Sequence, residues 1–116
     1  MEEGVQMTMT VSDTVQKCKE ILERHYGSQF QGLLLYGSVA REQTRVESDI
    51  DLLVLLSDPL DYFEELRRII DLLYPIQLET ERLISAKPAM ADEFRAGKLQ
   101  LYRNAKREGR VYAAEV

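Results

Sequence analysis

The feature that most constrains this chain is a run of five aliphatic residues, Leu52 to Leu56, set directly behind Asp49-Ile50-Asp51. Five residues are too few for a buried helix and far short of the ~20 needed to span a bilayer. The run reads as a buried strand, bounded by Ser57-Asp58-Pro59. A second such run, Phe30 to Tyr36, ends at Gly37. Before it, Val11, Val15, Cys18 and Leu22 recur at spacings of three and four, a helical stripe with Ser12 or Asp13 as N-cap and Gly27 as stop. Ser38 to Gln43 is expected as a short helix after the Gly-Ser turn.

The second half alternates similarly. Asp61, with Glu64 three residues on, opens a helix whose apolar face is Tyr62, Leu66, Ile69, Ile70 and Leu73, with Pro75 past its end. In Ile76 to Ile84, Ile76 and Leu78 alternate with Gln77 and Glu79, which predicts a third strand. Ala89 to Ala96 is a short helix stopped by Gly97. Leu99 to Glu108 is a last helix, basic toward its end, and Val111 to Ala113 a tail strand. The pattern predicts an α/β (α+β) domain: helices on a small mixed sheet. The 116 residues make one domain, 1–116, with 1–10 polar and expected to be flexible.

Composition narrows the partners. Fifteen basic against twenty acidic residues leave a net charge of -5, which argues against gripping nucleic acid by its phosphates. A nucleotide ligand stays open, because a metal ion supplies positive charge locally. One cysteine, Cys18, permits no intrachain disulfide. The first residues, Met1-Glu2-Glu3-Gly4, lack the basic and apolar regions of a signal peptide. A cytoplasmic protein without a membrane partner is the expectation.

Asp49 and Asp51 are candidate metal ligands. On a strand, side chains two apart share a face, about 6.5–7 Å apart along it. Two carboxylates held so repel and lose hydration, which a cation between them relieves. Magnesium prefers oxygen ligands, and two such ions about 3.5–4 Å apart form the usual clamp for phosphoryl displacement. Gly37-Ser38 lies at a strand-to-helix turn, where glycine admits a phosphate close to the backbone and the free N–H groups hold its oxygens. Either signal alone has a plain structural reading, an acidic strand end or an N-capped turn. His25 near a helix end suits a surface role, and Cys18 on the apolar stripe suits the core.

Together, Gly37-Ser38, ten residues, then Asp49-x-Asp51 match the signature of the DNA polymerase beta-like nucleotidyltransferase superfamily. The stretches Leu34-Leu35-Tyr36-Gly37-Ser38-Val39-Ala40-Arg41 and Glu47-Ser48-Asp49-Ile50-Asp51-Leu52-Leu53-Val54 resemble the minimal nucleotidyltransferase (MNT) family. So does the tail Tyr102-Arg103-Asn104-Ala105-Lys106-Arg107-Glu108-Gly109-Arg110-Val111-Tyr112, so the likeness runs over residues 30–113. Glu42 stands where members often have glycine.

The resemblance implies a polymerase beta-like fold in which Gly37 and Ser38 position phosphates and Asp49 and Asp51 bind Mg2+, two ions in the full site. Arg41 either contacts a phosphate or pairs with a nearby acid. Catalytic members add a third carboxylate from the next strand, usually an aspartate. This chain has none there, and Glu79, or failing it Glu81, is the expected substitute. The implied activity is transfer of AMP from ATP to a tyrosine of a partner HEPN-domain toxin, which makes this chain the antitoxin of the pair. The alternative is an MNT-fold antitoxin that silences its HEPN partner by binding alone. Transfer to a small molecule, aminoglycoside-like, ranks third, since those enzymes carry an added helical domain.

Overall fold

The computed structural model describes residues 9–37, 49–57 and 60–112. Helix α1 (Val11–Tyr26) begins at Thr10, whose hydroxyl accepts from the Asp13 amide at 2.9 Å while Asp13 reaches back to the Thr10 amide. This capping box places the cap ahead of the expected Ser12 or Asp13, and makes Asp13 its reciprocal partner. Of the predicted stripe, Val15, Cys18 and Leu22 are fully buried and Val11 is half-buried. One 3-10 turn, Gly27–Gln29, leads into strand β1 (Phe30–Tyr36).

Strand β1 pairs antiparallel with β2 (Ile50–Leu56), placing Tyr36 opposite Asp51 and Leu34 opposite Leu53. Strand β2 pairs parallel with β3 (Ile84–Met90), placing Asp51 beside Ser85 and Leu53 beside Lys87. The short β4 (Arg110–Val111) runs antiparallel along the other edge of β1. The order β3-β2-β1-β4 is the small mixed sheet that the element pattern predicts. Its β3 edge carries Lys87 and Pro88 in the middle of the strand.

Helix α2 (Tyr62–Gln77) starts at Asp61, whose carboxylate accepts from the Glu64 amide at 3.1 Å. Two expectations fail here. Pro75 lies inside the helix, and the strand expected within 76–84 does not form. Ile76 instead extends the buried stripe of Ile69 and Leu73 at spacings of four and three. Two alternating apolar residues could not separate that period from a strand's. The Gln77 side chain then ties the turn, donating to the Arg82 carbonyl and accepting from the Ile84 amide, both at 2.8 Å. The third strand therefore begins at the end of the expected one. The outer side of α2 also differs from expectation, because Ile70 is 57% exposed and Tyr62 38%.

Helices α3 (Ala91–Ala96) and α4 (Gln100–Glu108) follow β3, and Gly109 ends the latter. The sheet is covered on both sides, which is why β1 and β2 read as unbroken apolar runs. On one side α1 and α2 pack over Leu33, Leu35, Ile50, Leu52 and Val54. On the other, Phe94, Tyr102 and Ala105 of α3 and α4 pack over Leu34, Leu53 and Leu55. Between α1 and α2 lies a buried carboxylate, Glu65, which accepts from the Tyr26 hydroxyl at 2.7 Å and from Arg68 Nη1 at 2.8 and 2.9 Å. Among the described residues, no helix is long and apolar enough to cross a membrane.

Candidate active site

Asp51 is the second residue of β2 and belongs to the face shared with Leu53 and Leu55. That face is sealed by α3 and α4 beneath Leu53 and Leu55. At Asp51 the cover thins, and the carboxylate is only half-buried. Its lateral neighbours are Tyr36 on β1 and Ser85 on β3. Asp49 lies just ahead of the strand and is exposed.

Gly37 follows β1 directly and holds φ at +80°. A Cβ built on it would overlap the Asp51 Oδ2 atom. The Gly37 α-carbon is thus the surface against which the Asp51 carboxylate rests. Glycine is required twice over, by backbone conformation and by the absence of a side chain. The two halves of the sequence signature meet in space at this contact. Ser38 and Arg41 lie outside the described residues.

The electrostatics show a strained pair. Burial raises the proton affinity of Asp51 above that of an ordinary aspartate, the Asp49 charge raises it further, and Lys87 opposes both. The Tyr36 phenol is pushed up to about 12, first by burial, then by the Asp51 charge and by Tyr62. A half-buried carboxylate whose ionised form is disfavoured, with a second oxygen donor beside it on a partly open face, fits a hard divalent cation such as magnesium. Among the described residues, no group of three or more His, Cys, Asp or Glu is arranged to hold a metal ion.

The proposed third carboxylate is misplaced. Glu79 lies in the turn after α2, not on a strand, and its carboxylate pairs with Lys17 of α1 at 3.1 Å, both side chains about half exposed. Helix α1 covers the opposite side of the sheet from Asp51. Glu81 is exposed in the same turn. The β3 residues that share the face of Asp51 are Ser85 and Lys87, and β3 contains no acid. Sequence reasoning missed both because it ended the strand at Ile84. The signal available was the next stretch, Ile84 to Met90, an apolar run broken by Lys87-Pro88. His25 is exposed, and Cys18 is fully buried.

Comparisons with known proteins place this geometry. Solved structures share the fold, among them the following three. A minimal nucleotidyltransferase matches with TM-score 0.55 and 20% identity, over 90% of this chain and 97% of that one. A toxin–antitoxin crystallised with AMP-PNP matches with TM-score 0.53 and 18% identity, over 92% of this chain and 76% of that one. A mutant of the toxin–antitoxin MntA-HpeT matches with TM-score 0.52 and 20% identity, over 86% and 72%. At these identities the likeness establishes the fold. No curated protein is significantly similar in sequence. The profile of the family described as "Polymerase beta, Nucleotidyltransferase" matches residues 16–111, from the middle of α1 through β4. With its mixed sheet and the Gly37–Asp51 contact at its centre, the chain belongs to the polymerase beta nucleotidyltransferase family.

Proposed function

We propose that this chain is a magnesium-dependent nucleotidyltransferase that moves AMP from ATP onto a tyrosine hydroxyl of a partner HEPN-class toxin, and so neutralises it. The observation that carries this reading is the Asp51 carboxylate, destabilised beside Asp49 and resting on the bare α-carbon of Gly37. Asp49 and Asp51 hold the magnesium, which when bound offsets negative charge on the triphosphate and the departing pyrophosphate. Gly37, Ser38 and Arg41 position the phosphates. The tyrosine oxygen bonds to the α-phosphorus, the bond from that phosphorus to the pyrophosphate oxygen breaks, and pyrophosphate leaves with the electron pair. The phenolic proton is released to water. The toxin–antitoxin assemblies among the fold neighbours, one of them holding AMP-PNP, support both the partner and the nucleotide. Incubation with ATP, magnesium and the partner is expected to add one or more AMP masses to a partner tyrosine. A folded wild-type chain that adds none would refute the transfer.

The composition of β3 favours a second reading, a silencer that acts by binding alone. It presents Ser85 and Lys87, where catalytic relatives are expected to place an acid. The double substitution Asp49→Asn plus Asp51→Asn separates the two. Neutralisation that survives it supports occlusion, and neutralisation lost by a folded, partner-binding variant supports chemistry.

A further inference from the structure

Lys87 stands in a place that the transfer chemistry does not explain. It lies on β3 beside Leu53, two positions along from the pair Asp51–Ser85. Side chains alternate along a strand, so Ser85, Lys87 and Ala89 share the face of Asp51, Leu53 and Leu55. Ala89 is packed beneath Phe94 with Leu53 and Leu55, which fixes that alternation. Lys87 is therefore at the rim of the buried patch, half-buried, where the cover of α3 gives way to the open end of the face. A lysine stem lies along apolar surface while its ammonium reaches polar surroundings. Here those surroundings contain Asp51, whose ionised form Lys87 favours.

Charge decides what such a site holds. Three carboxylates carry three negative charges, enough to draw in two divalent cations. Asp49, Asp51 and Lys87 together carry one. A second cation would sit beside a fixed ammonium, and like charges a few ångströms apart repel strongly in a partly desolvated setting. An anionic phosphate oxygen is attracted to the same ammonium, the use lysine has in phosphate-binding loops.

We propose that Lys87 takes the place of the third carboxylate, so that this site binds one divalent cation on Asp49 and Asp51 and holds a phosphate of the nucleotide directly on the Lys87 ammonium. This rests on the nucleotide site argued above. It makes Lys87 a residue of nucleotide specificity and metal stoichiometry, and it makes part of the nucleotide affinity independent of metal.

Binding measurements test it without any turnover. The probes are a non-hydrolysable ATP analogue, titrated by calorimetry in magnesium and again in EDTA, and Mn2+, counted by electron paramagnetic resonance in the presence of the analogue. The wild type is expected to bind the analogue in both buffers, more weakly in EDTA, with one Mn2+ per chain. Lys87→Met is expected to lose roughly 10- to 100-fold of the affinity in EDTA, the range for one charge-assisted hydrogen bond. Lys87→Asp is expected to bind two Mn2+, and Lys87→Arg to keep the affinity of the wild type in EDTA. Thermal melts confirm that each variant is folded. Two Mn2+ on the wild type, or unchanged affinity of Lys87→Met in EDTA, would overturn the assignment while leaving the nucleotide site intact. A wild type that binds the analogue in neither buffer would overturn the nucleotide site and Lys87 with it.

Discussion

Gly37→Ala turns the contact between the two halves of the site into a measurable energy. Two costs are expected. An L-residue at φ +80° leaves its comfortable backbone region, which costs about 1–2 kcal/mol. The new Cβ also meets the Asp51 carboxylate, with its Cγ at 3.3 Å and Oδ2 closer still. Moving that side chain off its rotamer adds about 0.5–1.5 kcal/mol. Gly27→Ala serves as a control without the contact, because Gly27 also has positive φ, at +56°, and a Cβ there meets nothing within 4 Å. Gly37→Ala should therefore destabilise by roughly 2–3 kcal/mol. For a domain of about 100 residues, each kcal/mol lowers Tm by about 4–8 °C. The assay is thermal and urea unfolding of both variants, repeated in an Asp51→Ala background. Removing the carboxylate leaves only the Asp51 Cβ, at 3.5 Å, so the Gly37→Ala penalty should fall by the share of the contact, about 0.5–1.5 kcal/mol, while that of Gly27→Ala should not change. If the penalty is the same with and without the carboxylate, the contact carries no energy and the reasoning fails. Asp51→Asn, which keeps the shape, should not relieve it.

Three further outcomes follow from the same structure. Because folding raises the proton affinity of Asp51, unfolding releases a proton, and stability falls as pH rises from the ordinary aspartate value of 3.8 through the higher folded one. Asp51→Asn should flatten that part of the stability–pH curve and leave the variant slightly more stable at neutral pH in EDTA; a steeper curve would contradict the burial argument. Tyr26→Phe removes the hydroxyl that donates to Glu65, and urea unfolding should show a loss of about 1–2 kcal/mol, with Glu65→Ala costing more because it strands both Tyr26 and Arg68. The Cys18 thiol is fully buried and pushed up to about 12, so a thiol reagent should label it only at the rate of unfolding, and fast labelling of the native chain would show α1 opening locally.

The legible parts of the sequence were those in which one signal answered one question. Phe30 to Tyr36 and the Leu52–Leu56 run became strands because only a sheet covered on both sides buries the apolar residues of so short a stretch on both faces. The candidate site was legible through two local signals, a glycine at the end of one strand and an Asp-x-Asp pair at the start of the next, of which Asp51 is on the strand and Asp49 just ahead of it. Glu79 was misread because its period-two pattern held only two apolar residues, Ile76 and Leu78. Ile76 obeys the helical period of α2, Leu78 is 68% exposed, and the helix runs on past Pro75. Which β3 residues face Asp51 depends on strand register, and register is a long-range pairing that no local spacing encodes. Lys87 was therefore invisible until the pairing was known.

Pro88 gives β3, the terminal strand of the sheet among the described residues, a further meaning. Proline lacks the N–H that a newcomer would need, and a charged neighbour such as Lys87 makes an added strand less welcome still. A second chain is thus discouraged from extending the sheet beyond β3. A partner that reaches the site from this direction is then recognised by side-chain shape and charge, and copies of the protein crowded together are discouraged from zipping up along this edge.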